Sequence, residues 1–217
     1  MRNSGGNTRK CMKQLFLALY LCSLSCLSAD PKTRFWNWFR KRSQEYLALD
    51  ESNRDRLFDQ LAPQLRTVHP NLTFEFGPPS TNGPRDLIIS ADGIQEAFPA
   101  VRDLVSVAPY LPGWKVIAFR QPHPGLEIHY NSARIRPGET LFTSMKHGDK
   151  VDVILYVKGY KSTADFETAG YLLLDSELGE FDVETYLGGI DFTSLELAPG
   201  DALPLTRLAE TIKSLKR

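Results

Sequence analysis

Apolar residues recur along the chain with two periods, one typical of amphipathic helices and one typical of half-buried strands. Between residues 33 and 49, the large apolar side chains are spaced by three, four and seven positions, which predicts a helix with one apolar face. The same spacing predicts helices over residues 57–68, 94–108, 164–178 and 204–215. Pro63 falls inside the second of these helices and should bend it.

Shorter apolar runs, several of them alternating, predict the strands. They cover residues 72–76, 86–90, 114–119, 126–130, 151–157, 181–186 and 189–195. The run from Val151 to Val157 is the most continuous of these, which places it in the centre of the sheet. Strands outnumber the helices that would cross over between parallel neighbours. We therefore predict an α+β protein with a single domain, in which about four helices cover a mixed, mainly antiparallel β-sheet.

The first thirty residues differ in character from the rest of the chain. The segment from Leu15 to Leu27 is apolar or small, basic residues precede it, and no acidic residue occurs before Asp30. This order predicts a signal peptide over residues 1–29, cleaved after Ala29, with residues 30–217 as the mature domain. A helix of that apolar length spans only about 20 Å, less than the ~30 Å hydrocarbon core of a bilayer. A cleaved leader is therefore favoured over a permanent anchor.

Two alternatives for this segment stay open. Met12 followed by Lys13 would make a compact signal peptide on its own, which makes Met12 an alternative start. Cys26 would be the lipid-attachment site of a lipoprotein, since Leu24 and Ser25 precede it, although Ser23 stands where such a signal usually has a large aliphatic residue. We expect a secreted or periplasmic bacterial protein.

Composition and charge change once the leader is set aside. The whole chain has 26 basic and 26 acidic residues, but the predicted leader holds four of the basic residues and none of the acidic ones, so the mature domain has a net charge of −4. A mildly acidic domain is unsuited to nucleic acid. All three cysteines lie in the leader, which excludes disulfides, thiol nucleophiles and cysteine-based metal sites from the mature domain.

Histidines in the middle of the chain suggest a metal site. Glu127 and His129 are two residues apart on a predicted strand and so share a face, and His123 lies in the preceding turn. Two histidines and a carboxylate would suit zinc or iron. The spacing matches no established metal motif, and His147 lies further along the chain, so we predict neither a metal nor a cofactor.

Acidic residues concentrate later in the chain. Asp182 and Glu184 share one face of the predicted strand 181–186, and such a pair would serve as the acid and base of a glycosidase or as calcium ligands. A solvated surface is the simpler interpretation. Ser90 and Ser144 lack the Gly-x-Ser-x-Gly pattern of a nucleophile elbow. The sequence therefore assigns no catalytic residue. The other acidic residues of this stretch are Asp165, Glu167, Asp175, Glu177 and Glu180.

The first predicted helix of the mature domain combines aromatic and basic residues. Phe35, Trp36, Trp38 and Phe39 precede the basic run Arg40–Arg42. This combination would suit an anionic membrane surface or a partner protein. In the alternative interpretation the aromatic side chains pack on the sheet, and the basic side chains reach into water.

Several short motifs together resemble a family of uncharacterised bacterial proteins. They are Phe35-Trp36-Asn37-Trp38-Phe39, residues 72–77, residues 88–93, residues 170–175 and residues 179–184. The resemblance covers nearly the whole mature domain. It implies bacterial origin and one domain, and it implies neither an activity nor a functional residue.

These observations favour a non-enzymatic binding or interaction protein of the periplasm or cell envelope, because the chain has a well-formed core and no reactive motif. Its partner would be a protein or a small ligand. The alternative is a hydrolase of unfamiliar type that uses Asp182 and Glu184, or Glu127 and His129.

Overall fold

The computed structural model describes residues 29–79 and 83–215. Nearly all of the predicted leader, including Met12 and Cys26, lies outside these residues. The helices are α1 (Pro31–Leu47), α2 (Arg54–Arg66), α3 (Phe98–Ser106), α4 (Ala164–Leu178), α5 (Glu180–Tyr186) and α6 (Leu208–Leu215). The strands are β1 (Thr73–Phe76), β2 (Arg85–Ser90), β3 (Trp114–Ala118), β4 (Ile128–Tyr130), β5 (Ala133–Ile135), β6 (Thr140–His147), β7 (Lys150–Val157), β8 (Leu187–Ser194) and β9 (Leu203–Pro204).

The described strands form three sheets, in the orders β1-β2-β3, β4-β5 and β8-β7-β6-β9. Antiparallel pairs outnumber parallel ones, because only β2 with β3 and β7 with β8 run parallel. The α+β class is confirmed, with residues 31–217 forming one compact unit. The expectation of a single sheet is wrong, because alternation along a strand indicates which face is buried and not which strand lies beside it.

The first hydrophobic cluster joins α1, α2 and α3 to the sheet β1-β2-β3. Phe35, Trp36 and Phe39 are buried in it, and the Trp36 indole Nε1 donates a hydrogen bond to the Leu104 carbonyl oxygen at 2.8 Å. This burial agrees with the interpretation in which the aromatic side chains of α1 pack on the sheet. A membrane contact by α1 would rest on the half-buried Trp38 and the basic residues beside it, and it stays a prediction.

The second hydrophobic cluster joins α4 and α6 to the sheet β8-β7-β6-β9. β7 lies between β6 and β8, which confirms its predicted place inside a sheet. β5 and β6 were not predicted. Along β6 the two side chains that point inward and are fully buried are Thr140 and Phe142, so the apolar signal of an eight-residue strand rests mainly on one residue.

The predicted strand 181–186 is wrong, because these residues form α5. Gly179 separates α4 from α5 with a φ of 82°, and its carbonyl oxygen accepts the first helical hydrogen bond, from the Val183 N–H at 3.1 Å. Phe181 and Val183 alternate with polar residues, and so short an alternation suits a strand and a single buried helical turn equally well. No helix among the described residues is long and apolar enough to cross a membrane.

Candidate functional site

A cleft of about 420 Å³ lies between the two hydrophobic clusters. Its first side is the outer face of the sheet β1-β2-β3, where Glu75 pairs with Ile88 across the strands. The second side is α4, through Leu172, Asp175 and Ser176. The third side is the chain from residue 120 to residue 129, which includes Leu126 and the start of β4. These three sides are distant in the sequence and come together only in the folded protein.

Apolar side chains line much of this space. They are Ile88, Leu126, Ile128 and Leu172, and 55% of the Leu126 surface is exposed to solvent. Ile88 faces the cleft because its neighbours Leu87 and Ile89 point into the first hydrophobic cluster, and successive side chains of a strand alternate between faces. A ligand with an apolar part would displace water from these surfaces favourably.

The third side is attached to α4 by hydrogen bonds between its main-chain groups and main-chain or side-chain groups of the helix. The His123 N–H donates to the Ser176 carbonyl oxygen at 2.7 Å, and the Ser176 hydroxyl donates to the His123 carbonyl oxygen at 2.9 Å. The Gly125 N–H donates to the buried Glu177 carboxylate at 2.9 Å. This side of the cleft is therefore fixed, and the Ser176 hydroxyl proton is directed at a carbonyl rather than at a base.

Arg120 lies at the floor of the cleft and contacts three carboxylates, a group that we call the Arg120 cluster. Its guanidinium donates to Glu75 and Asp92, and its Nη1 lies 3.3 Å from Asp175 Oδ2. Burial opposes the charge of Arg120, but the bonds to Asp92 and Glu75 outweigh it, so the pKa of Arg120 lies above its ordinary value. Arg120 is thus a permanent cation with several anionic partners.

Glu180 connects this cluster to the ends of two strands. Its side chain is fully buried, and its Oε1 accepts the N–H groups of Ala91 at 3.0 Å and Gly93 at 3.3 Å. Its Oε2 accepts the Arg120 N–H at 3.2 Å. Asp92 and Gly93 both have positive φ, and this turn directs the two N–H groups at one carboxylate oxygen, as in other anion-binding turns.

Asp175 is a largely buried carboxyl group of the cleft with a raised pKa. Its side chain is 19% exposed, and burial raises its pKa to about 6, with Arg120 opposing the rise and the charges of Glu180 and Glu184 adding to it. Its Oδ1 accepts no hydrogen bond from the described residues, because the Arg120 contact uses Oδ2. Asp175 therefore changes charge near neutral pH while facing an apolar space.

The structure brings Glu127 and His129 together, as their spacing predicts, with His129 Nε2 3.3 Å from Glu127 Oε1. Arg134 and Arg136 also donate to this carboxylate, and the bond from Arg134 is the main reason that its pKa falls to about 2. Glu127 is therefore a poor proton donor at neutral pH.

The other histidines do not complete a metal site with this pair. His123 lines the same cleft, but its Nδ1 contacts the Gln121 carbonyl oxygen at 2.8 Å. His147 lies in the β6–β7 hairpin beside Asp152. In the part of the chain that the structure describes, no group of three or more histidine, cysteine, aspartate or glutamate residues is arranged to hold a metal ion.

Asp182 and Glu184 do not form the pair that a strand would make. They lie two residues apart on α5, so their side chains leave the helix about 200° apart. Asp182 lines a separate depression next to Arg102, whereas the Glu184 carboxylate packs against Gly93, and burial raises its pKa. The prediction of paired carboxylates is wrong because it depended on the strand.

Sequence reasoning missed the cluster at the floor of the cleft. Glu75 and Arg120 were not identified, and Asp175 and Glu180 were named only as members of an acidic run. The available signal was the position of Arg120, which directly follows the predicted strand 114–119, since polar residues at strand ends often line sites. The carboxylate partners of Arg120 are distant in the sequence, so they can be identified only from the tertiary structure.

The fold and site define a mixed α+β protein with a partly apolar cleft between two hydrophobic clusters and an arginine–carboxylate cluster at its floor. Comparison of the chain with protein-family models, with curated proteins and with solved structures found no match. The resemblance to uncharacterised bacterial proteins stays a prediction.

Proposed function

We propose that this protein is a non-enzymatic binding protein of the bacterial periplasm or cell envelope, and that it holds a small, partly apolar ligand in the cleft. The observation that carries the proposal is the cleft itself, with about 420 Å³ of space and apolar side chains on each of its sides. Pockets for small molecules measure about 300–1,000 Å³ and combine apolar walls with a few convergent polar groups. The cleft has both properties.

The polar groups around the cleft support binding more than catalysis. The Ser176 hydroxyl is bonded to a carbonyl oxygen, and Glu127 is bonded to two arginines. His129 is 60% exposed at the edge of the cleft. The Ser176 hydroxyl is therefore not directed at a base, and Glu127, although it contacts His129, is held ionised by the arginines, so neither group supplies the activation that a nucleophilic mechanism needs.

A fragment titration followed by amide chemical shifts tests the proposal on the purified chain. We expect shifts to concentrate at residues that line the cleft, and the variant Leu126→Trp to abolish them by filling the space. Leu197→Trp is the matched control, because Leu197 is 69% exposed and does not line the cleft. Shifts that persist in Leu126→Trp, or that map to another surface, would contradict the proposal.

Asp175 favours a second candidate, a hydrolase in which this residue acts as general acid and base. A carboxyl group with a pKa near 6 in an apolar cleft suits proton transfer at neutral pH. A panel of chromogenic esters and glycosides should then be hydrolysed with a pH profile that changes near pH 6, and Asp175→Asn should lower the rate by about 100-fold or more. Equal rates for wild type and Asp175→Asn would exclude this candidate.

Export rests on the sequence of the leader and has its own test. We expect mass spectrometry of the exported protein from a bacterial host to find Asp30 as the first residue. A lipid-linked Cys26 would support the lipoprotein alternative instead, and the label should then disappear in Cys26→Ser. An intact leader on protein recovered from the cytoplasm would contradict both forms of export.

A further inference from the structure

Charges at the floor of the cleft do not balance. Arg120 is one cation, and the carboxylates of Glu75, Asp92 and Asp175 all contact its guanidinium. A fourth carboxylate, that of Glu180, accepts the main-chain N–H of the same residue. The floor therefore has an excess of negative charge, which an additional positive charge would offset.

Charged groups on the other elements packed around the floor leave this excess in place. Glu184 of α5 adds another carboxylate, but the Lys150 ammonium of β7, which lies 2.8 Å from the Glu184 carbonyl oxygen, offsets its charge. On the far side of the cleft, Glu127 is neutralised by Arg134 and Arg136 of the β4–β5 hairpin. The negative excess thus lies at the Arg120 end, next to Ile88 and Leu172.

Two carboxylate oxygens at this end remain available to a ligand. Asp175 Oδ1 and Glu75 Oε2 accept no hydrogen bond from the described residues, since Arg120 contacts the other oxygen of each carboxylate. Both side chains line the cleft beside its apolar walls. Such an arrangement offers hydrogen-bond acceptors and negative charge to one end of a ligand and apolar surface to the rest.

We propose that the ligand of the cleft is a small organic cation, an amine whose ammonium group is held by Asp175 and Glu75 and whose apolar part packs on Ile88, Leu126 and Leu172. This inference rests on the proposed binding function and gives it a ligand class. Two of the three donors of an ammonium group match the two free carboxylate oxygens, and charge-assisted hydrogen bonds are about twice as strong as neutral ones.

Three probes with the same six-carbon chain test this inference: hexylamine, hexan-1-ol and hexanoate, titrated into the purified chain at pH 7.5 and followed by amide chemical shifts. We expect hexylamine to bind about tenfold more tightly than hexan-1-ol, and hexanoate to bind more weakly than either. Asp175→Asn and Glu75→Gln should each remove about this tenfold preference and leave the binding of hexan-1-ol within about twofold. The control Glu167→Gln, which neutralises an exposed carboxylate on the same helix, should keep the preference.

The possible outcomes test the ligand class and the binding function separately. Hexan-1-ol or hexanoate binding in the cleft as tightly as hexylamine would overturn the cation inference and leave the binding function intact. A hexylamine preference that Asp175→Asn and Glu75→Gln both retain would overturn the inference as well. Shifts from all three probes that fall outside the cleft would overturn the binding function itself. Thermal unfolding of each variant confirms that it is folded before titration.

Discussion

At the scale of single residues, Glu180 has the clearest structural role. Its carboxylate is fully buried and accepts three main-chain N–H groups, those of Ala91, Gly93 and Arg120. Glu180→Ala leaves these donors without an acceptor, which should lower the free energy of unfolding by about 3 kcal/mol. Glu180→Gln keeps one acceptor oxygen and should lose about half as much. Urea denaturation measures both values, with Glu167→Gln expected within about 0.5 kcal/mol of wild type. A Glu180→Ala variant as stable as that control would contradict this role.

The raised pKa of Asp175 predicts a pH dependence of stability whose sign is opposite to that of a carboxylate with a lowered pKa. Its pKa rises from 3.8 to about 6 on folding, so the folded protein binds this proton more tightly than the unfolded chain. The contribution of Asp175 to the free energy of unfolding is therefore most favourable below pH 4 and is lost as the pH rises through 6. Asp175→Asn keeps a neutral side chain at every pH, so it should exceed wild type in stability by about 3 kcal/mol at pH 7.5 and match it at pH 4.

The difference between variant and wild type is the quantity to measure, because other carboxylates act in the opposite direction. The pKa of Glu127 is lowered to about 2, mainly by the bond from Arg134, so its contribution is lost only in acid. Denaturant unfolding from pH 4 to pH 8 gives the difference directly. A difference that does not change with pH would show that the Asp175 carboxyl titrates alike in both states. A variant that gains stability and loses amine affinity would identify Asp175 as a binding group rather than a structural one.

At the scale of elements, the junction between α4 and α5 depends on Gly179. Its φ of 82° is a conformation that other residues rarely adopt, and an added Cβ would lie 3.0 Å from Pro122 Cδ and 3.1 Å from the Arg120 carbonyl oxygen. Gly179→Ala should therefore lower the free energy of unfolding by about 2 kcal/mol. Gly138→Ala is the control, because nothing lies near its added Cβ and its φ is not positive. Equal melting temperatures for the two variants would contradict this expectation.

The same junction shows how far sequence patterns predict these elements. The spacing of apolar residues located α1, α2, α4, β2, β3 and β7, because each has a clear apolar face or a continuous apolar core. It failed at α5, where a seven-residue helix has too few residues to establish a period. It also failed at β6, where a threonine takes an inward position. The site was less predictable than the fold, because the carboxylates around Arg120 come from positions 75, 92 and 175.

At the scale of the whole molecule, α5 connects the two hydrophobic clusters. Phe181 packs against Phe98 and Phe119 of the first cluster, with ring centroids 5.7 Å and 5.4 Å apart, whereas Val183 is buried in the second. Glu180 adds hydrogen bonds to the ends of β2 and β3. The cleft lies beside this connection, so the groups that hold the clusters together also fix the width of the binding site. Contacts of this kind make two clusters unfold as one cooperative unit.

This coupling can be measured because all three tryptophans, Trp36, Trp38 and Trp114, belong to the first cluster or pack against it. Their fluorescence reports on that cluster alone, whereas far-ultraviolet circular dichroism reports on helices of both. In wild type we expect the two signals to change at the same urea concentration. In a Glu180→Ala, Phe181→Ala double variant the two midpoints should separate by about 0.5 M or more, because each cluster then unfolds with its own stability. Coincident midpoints in the double variant would show that other contacts across the cleft couple the clusters.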